Sequence, residues 1–150
     1  MSRKNKTTLV WDSVKSPPAG YQRVVLWRSF VSESYPYAIS MPKLIEENAV
    51  ELKKQYLKLV YDTGVKKLNG KSVIDHMQLR EGFNYWWMTL IVEKCNYSKS
   101  TWIDDAIRFL AFNNLLKNEM IEKICLFTSN KLLAESFSLF CSKNQIELDL

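Results

Sequence analysis

The chain has 150 residues, 47% of them hydrophobic and 25% charged, with a net charge of +5 and a pI near 9.1. That is enough chain for one domain with its own core, and the composition excludes disorder as the default state. A single histidine excludes a multi-histidine metal site, three cysteines outside any C-x-x-C argue for reduced thiols rather than a disulfide framework, and no apolar run approaches the ~20 residues of a transmembrane helix.

The opening "MSRKNK" carries Arg3, Lys4 and Lys6 and reads as a basic disordered tail over residues 1–6. The other cations alternate with Asp and Glu instead of forming a stripe, which speaks against a nucleic-acid partner. A mildly basic surface suits anionic ligands such as sugar nucleotides, or the face of an anionic membrane. "TTLVW" (Thr7 to Trp11) is a first strand that stops at Asp12-Ser13, and "SPPAG" then forces a loop. "RVVLWRS" (Arg23 to Ser29) is a second strand. From Met41 to Gly64, apolar residues recur at Ile45, Ala49, Leu52, Tyr56 and Leu59, one face of a helix with Pro42 in its first turn and Gly64 as its stop.

"GVKKLNGKS" has the look of a phosphate-binding loop, but Gly64 and Gly70 stand one residue too far apart and "GKS" precedes a strand rather than a helix. It reads as a helix-to-strand connection. "KSVIDHM" (Lys71 to Met77) is a third strand, and "NYWWMTLIVEKCNY" a helical segment. "STWIDDAIRFLAFNNLLKN" is a helix opened by a Thr101–Asp104 capping box. "EKICLFTSN" (Glu122 to Asn130) is a fourth strand, "NKLLAESFSLFCSKN" a helix that gathers Leu133, Phe137, Phe140 and Cys141, and "IELDL" (Ile146 to Leu150) a fifth strand.

Strands that alternate with helices predict an α/β fold with a mainly parallel sheet of four to five strands, in three layers, over residues 7–150. The continuous Val/Ile/Leu runs suit strands buried on both faces. An α/β domain usually continues past such an end, so "IELDL" is either an edge strand or the point where a longer protein goes on, and the expectation is the N-terminal domain of a longer, two-domain chain.

In parallel sheets, ligands bind outside the carboxyl ends of the strands. The polar groups expected there are Asp12, Ser13, Arg28 and Ser29 after the first two strands, His76 after the third, and Thr128, Ser129 and Asn130 after the fourth. His76 is a candidate general base or hydroxyl ligand, with Arg80 close behind it; the alternative is a histidine hydrogen-bonded into its loop. Arg28 suits a carboxylate or phosphate. Tyr85, Trp86 and Trp87 are consecutive, so on a helix one indole enters a core while another lines a rim or a partner surface. Tyr85 and Trp86 are the candidates for stacking on a ring; core or interface packing is the other reading. A phosphoacceptor module of flavodoxin-like type lacks its clustered acids here, since Asp12 and Asp75 stand nearly alone.

The segment "DHMQLREGFNYWWMTLIVEKCNYSKSTWIDDAIRFLAF" resembles a family of bacterial surface-carbohydrate biosynthesis proteins linked to O-antigen gene clusters. A strand ending in Asp-His, a "YWWM-T/S-L" helix, an "EK-C/S" step and a "D-A-I" helix carry the likeness. "LVWDS", "RVVLWRSF" and "EENAVELKKQYLKLVYDTG" extend it over most of the chain. The resemblance implies a glycosyltransferase of the two-Rossmann-domain type. This chain would then be the Rossmann-like acceptor-side domain, meeting a saccharide or lipid-linked acceptor. A second domain or partner subunit would hold the sugar-nucleotide donor, and this chain by itself would hold no cofactor or metal. The implied place is the cytoplasm, with a peripheral position at the inner face of the membrane. The rival expectation is a non-catalytic α/β domain that docks on a partner through its Trp-rich helix.

Overall fold

The structure, a computed structural model, describes residues 7–30, 35–92, 101–117 and 121–150, and the basic tail at 1–6 and the Glu93-Lys94-Cys95 step lie outside them. In chain order the elements are β1 (Thr7–Asp12), β2 (Val24–Leu26), β3 (Ile39–Ser40), α1 (Met41–Glu47), α2 (Ala49–Val65), β4 (Lys67–Leu68) and β5 (Lys71–Ser72). Then come α3 (Val73–His76), β6 (Gln78–Arg80), β7 (Phe83–Asn84), a 3-10 turn (Tyr85–Met88), α4 (Thr101–Leu116), β8 (Lys123–Thr128), α5 (Lys131–Asn144) and β9 (Glu147–Asp149). They fall into two compact units, one of Met1–Asn48 with Ala111–Leu150 and one of Ala49–Leu110.

The first unit is α/β of Rossmann-like type. Its sheet runs β3-β2-β1-β8-β9 with every neighbouring pair parallel, β1 in the centre. The middle of β1 is apolar because both its faces are covered: Val10 on one face is fully buried, and Leu9 and Trp11 on the other nearly so. Val25 and Ile124 extend the Val10 face, and beside them the buried rings of Trp27, Phe112 and Phe137 meet edge to face at 5.1 to 5.9 Å. Leu9, Trp11, Val24 and Leu26 form a second cluster with Cys125 and Ala38. Helix α5 packs on β8 and β9 and ends at Gln145, whose left-handed φ of 58° turns the chain into β9. Among the described residues the expected fifth strand, β9, lies at the end of the sheet order. β3 is an additional strand, two residues long.

The second unit differs from the sequence expectation. Of the expected strand Lys71–Met77 only Lys71–Ser72 is a strand, β5, and Val73–His76 is helical. Asn69 and Gly70, at φ 50° and 84°, close a tight hairpin between β4 and β5, as an Asn-Gly pair does in a type I′ turn. Ser72 then caps α3: its Oγ accepts from the Asp75 amide at 3.0 Å while the Asp75 carboxylate accepts from the Ser72 amide at 3.1 Å. That reciprocal box turns Val73–His76 into a short helix despite its apolar content. The unit's core is Tyr56, Val60, Trp86 and Ile103, with Ile74 and Ile107 packed on it. The helix expected from Met41 to Gly64 is broken at Asn48, and Gly64 sits inside α2 rather than ending it. A Cβ there would stand 3.0 Å from both the Trp86 indole and Ile74, so the glycine is required by close packing. No described helix is long and apolar enough to cross a membrane.

Candidate functional site

The sheet has one switch point. From β1 the chain steps to β2 and β3 on one side, while β8 and β9 lie on the other. At such a point the strand ends diverge and leave a crevice. Asp12 and Thr128, the last residues of β1 and β8, are register partners there.

They are also bonded to each other. The Thr128 hydroxyl donates to Asp12 Oδ2 at 2.6 Å, and Arg28 Nε donates to Asp12 Oδ1 at 2.7 Å. The Asp12 side chain is only 7% exposed, so a carboxylate without these two donors would be costly at this position. Arg28 is one-third exposed. Thr128 Oγ1 also accepts from the Asn130 amide at 3.0 Å, and the Asn130 carboxamide caps α5 by accepting from Leu133 N at 3.3 Å. On the other flank the buried Ser40 hydroxyl donates to the Ser29 carbonyl at 2.9 Å and accepts from Lys43 N, capping α1. Two caps and one ion pair thus hold the carboxyl edge of four neighbouring strands.

Of the expected site residues, the fold brings together Asp12, Arg28 and Asn130, joined by Thr128. Ser29 contributes its carbonyl. Ser13 accepts from the Lys15 amide in the turn after β1, and Ser129 is exposed at the start of the turn into α5. Ser40 carried no signal in the sequence beyond its place before Met41-Pro42, where a serine cap fits.

The other candidates belong to the second unit, not to the strand ends of the sheet. His76 is the last residue of α3, exposed, with Nε2 donating to the Leu68 carbonyl at 2.8 Å. It ties α3 to the neighbouring hairpin. Arg80 lies over the Phe83 ring at 5.4 Å. Trp86 is buried among Tyr56, Val60 and Ile103, so its indole is spent on packing. Tyr85, Trp87 and Met88 are the exposed members of that turn, and Trp87, not Trp86, is the indole that faces solvent. Hydrogen bonding to Ser72 holds the Asp75 carboxyl below the ordinary carboxylate range. Among the described residues no three His, Cys, Asp or Glu side chains gather as a metal site.

Fold and rim together define an α/β protein of Rossmann-like type with a polar, ion-paired switch point. No family model, curated protein or solved structure matches the chain.

Proposed function

We propose that this chain is the acceptor-side domain of a glycosyltransferase in surface-polysaccharide synthesis, working in the cytoplasm at the inner face of the membrane. The observation that carries the reading is the Asp12–Arg28–Thr128 network at the sheet's switch point. Asp12 fixes the partly exposed guanidinium of Arg28 beside the strand ends, and a fixed guanidinium suits the phosphate of a lipid-linked acceptor. The likeness of the "YWWM" and "LVWDS" segments to surface-carbohydrate proteins supports the same assignment. A second domain or a partner subunit supplies the sugar nucleotide. His76, bonded to its hairpin, has a positioning role within the second unit.

The test is a titration of the full chain with a short-chain prenyl phosphate presented in lipid vesicles, followed by NMR. We expect saturable shifts at Asp12, Arg28 and Thr128, and binding weakened about tenfold or more by Arg28→Ala, the worth of one hydrogen bond to a charged group. Binding that is absent, or is indifferent to Arg28→Ala, overturns the assignment.

A further inference from the structure

Parallel sheets bury both faces, and β8 is an interior strand, yet Phe127 on it is 53% exposed. The cause is legible in the chain. Within the first unit, the connection laid over the face of Leu9, Trp11, Cys125 and Phe127 includes Pro18 and Tyr21, from the stretch where Pro17-Pro18 bars a helix. Trp11 Nε1 donates to the Lys15 carbonyl at 2.7 Å and pins the start of that loop. The loop covers less than a helix would.

What it leaves is a groove of about 200 Å³ lined by Trp11, Pro18, Tyr21, Cys125, Phe127 and Asp149, among others. Trp11 and Phe127 stack at 4.2 Å with 17° between their planes. One face of the Phe127 ring is thus supported and held flat, and the exposed area of the residue lies beyond that stack. The Tyr21 phenol stands beside Cys125, and its interaction with that side chain, with burial after it, holds its pKa above the ordinary tyrosine value. Among the described residues the one charged side chain of the lining is Asp149. Lys123 on β8 holds that carboxylate at 3.5 Å and Glu147 at 2.8 Å.

These features select an occupant. Drug-sized ligands fill about 300–1,000 Å³, so this groove takes a single ring. A phosphate-bearing nucleotide would meet the Asp149 carboxylate in the lining. A pyranose offers an apolar C–H face for a fixed aromatic platform and hydroxyls for a carboxylate and a phenol. We propose that the groove on the Trp11–Phe127 face binds one neutral pyranose ring, stacked on Phe127 and hydrogen-bonded at its edge to Asp149 and Tyr21. The site goes beyond the rim assignment: it shares no side chain with Asp12, Arg28 and Thr128, and it needs no transfer chemistry.

The experiment titrates the full chain with methyl glycosides of glucose, galactose, mannose and N-acetylglucosamine in the millimolar range, with adenosine as a planar control. The readout is the Trp11 indole N–H resonance. A saturable shift is expected with at least one glycoside, lost in Phe127→Ala, kept in Phe127→Tyr and weakened in Asp149→Asn. Phe127 is exposed, so its alanine variant keeps the fold, and Phe127→Tyr with Asp149→Asn tests the site even where it does not. The proposal falls if no glycoside moves Trp11, if the shift survives Phe127→Ala, or if adenosine alone produces it. A glycoside result in either direction leaves the prenyl phosphate titration to stand or fall separately.

Discussion

Thr8, the second residue of β1, is 1% exposed, and its hydroxyl has no hydrogen-bond partner in the described structure. Asp12, at the other end of the same strand, shows the contrasting arrangement, with a donor for each carboxylate oxygen. An unmet buried hydroxyl costs about 1–3 kcal/mol of desolvation, whereas a methyl of the same branching costs nothing there and gains from burial. Thr8→Val should therefore stabilise the protein by about 1 kcal/mol, against the usual direction of core substitutions. Urea unfolding of the two proteins decides it. A loss of stability would mean that a buried water satisfies the hydroxyl. The threonine itself reads from the sequence as an ordinary β-former; that its hydroxyl goes unmet follows only from its register opposite Ile124.

At the scale of the element, α2 and the 3-10 turn meet where neither tolerates more volume. In an open helix Gly→Ala gains about 1 kcal/mol. At Gly64 the new methyl would stand 3.0 Å from an indole and from Ile74. Trp86 is 4% exposed and cannot swing away, and overpacking of this kind costs about 1–3 kcal/mol. Strain outweighs propensity, so Gly64→Ala should destabilise the chain by about 1 kcal/mol. Chemical denaturation followed by tryptophan fluorescence measures this, and a stabilised variant would show that the indole yields. The same region marks where sequence reasoning stops short. β1, β2, β8, α4 and α5 are legible because apolar runs and helical periods agree with their burial. Val73 and Ile74 suggest a strand, yet Ser72 and Asp75 have capping-box spacing and Asn69-Gly70 is a hairpin signal, and these local bonds prevail over a weak apolar run. β3 is two residues long and leaves no periodic trace.

At the scale of the molecule, the strand-end site was legible wherever the strands were. Asp12, Arg28 and Asn130 follow real strands and meet at the switch point. His76 follows a short helix, so the expected link between it and the sheet edge has no basis in the secondary structure. Trp86 and Trp87 divide between core and solvent, which adjacency in sequence requires but does not assign. Stability should be distributed just as unevenly. β1 is hydrogen-bonded on both sides and fully buried at Val10, so its amides open only with the whole first unit. The β4–β5 pair is two residues long on each side and mostly exposed, and isolated hairpins are marginal in water. A global opening costs about 5–15 kcal/mol while such a hairpin opens for a few at most. Amide hydrogen exchange should accordingly run at least about a thousandfold faster across Lys67–Ser72 than across Leu9–Trp11, after correction for intrinsic rates. Equal protection in the two segments would mean that the hairpins belong to the same cooperative unit as the sheet, and that the division at Ala49 and Leu110 is one of contacts alone and not of energy.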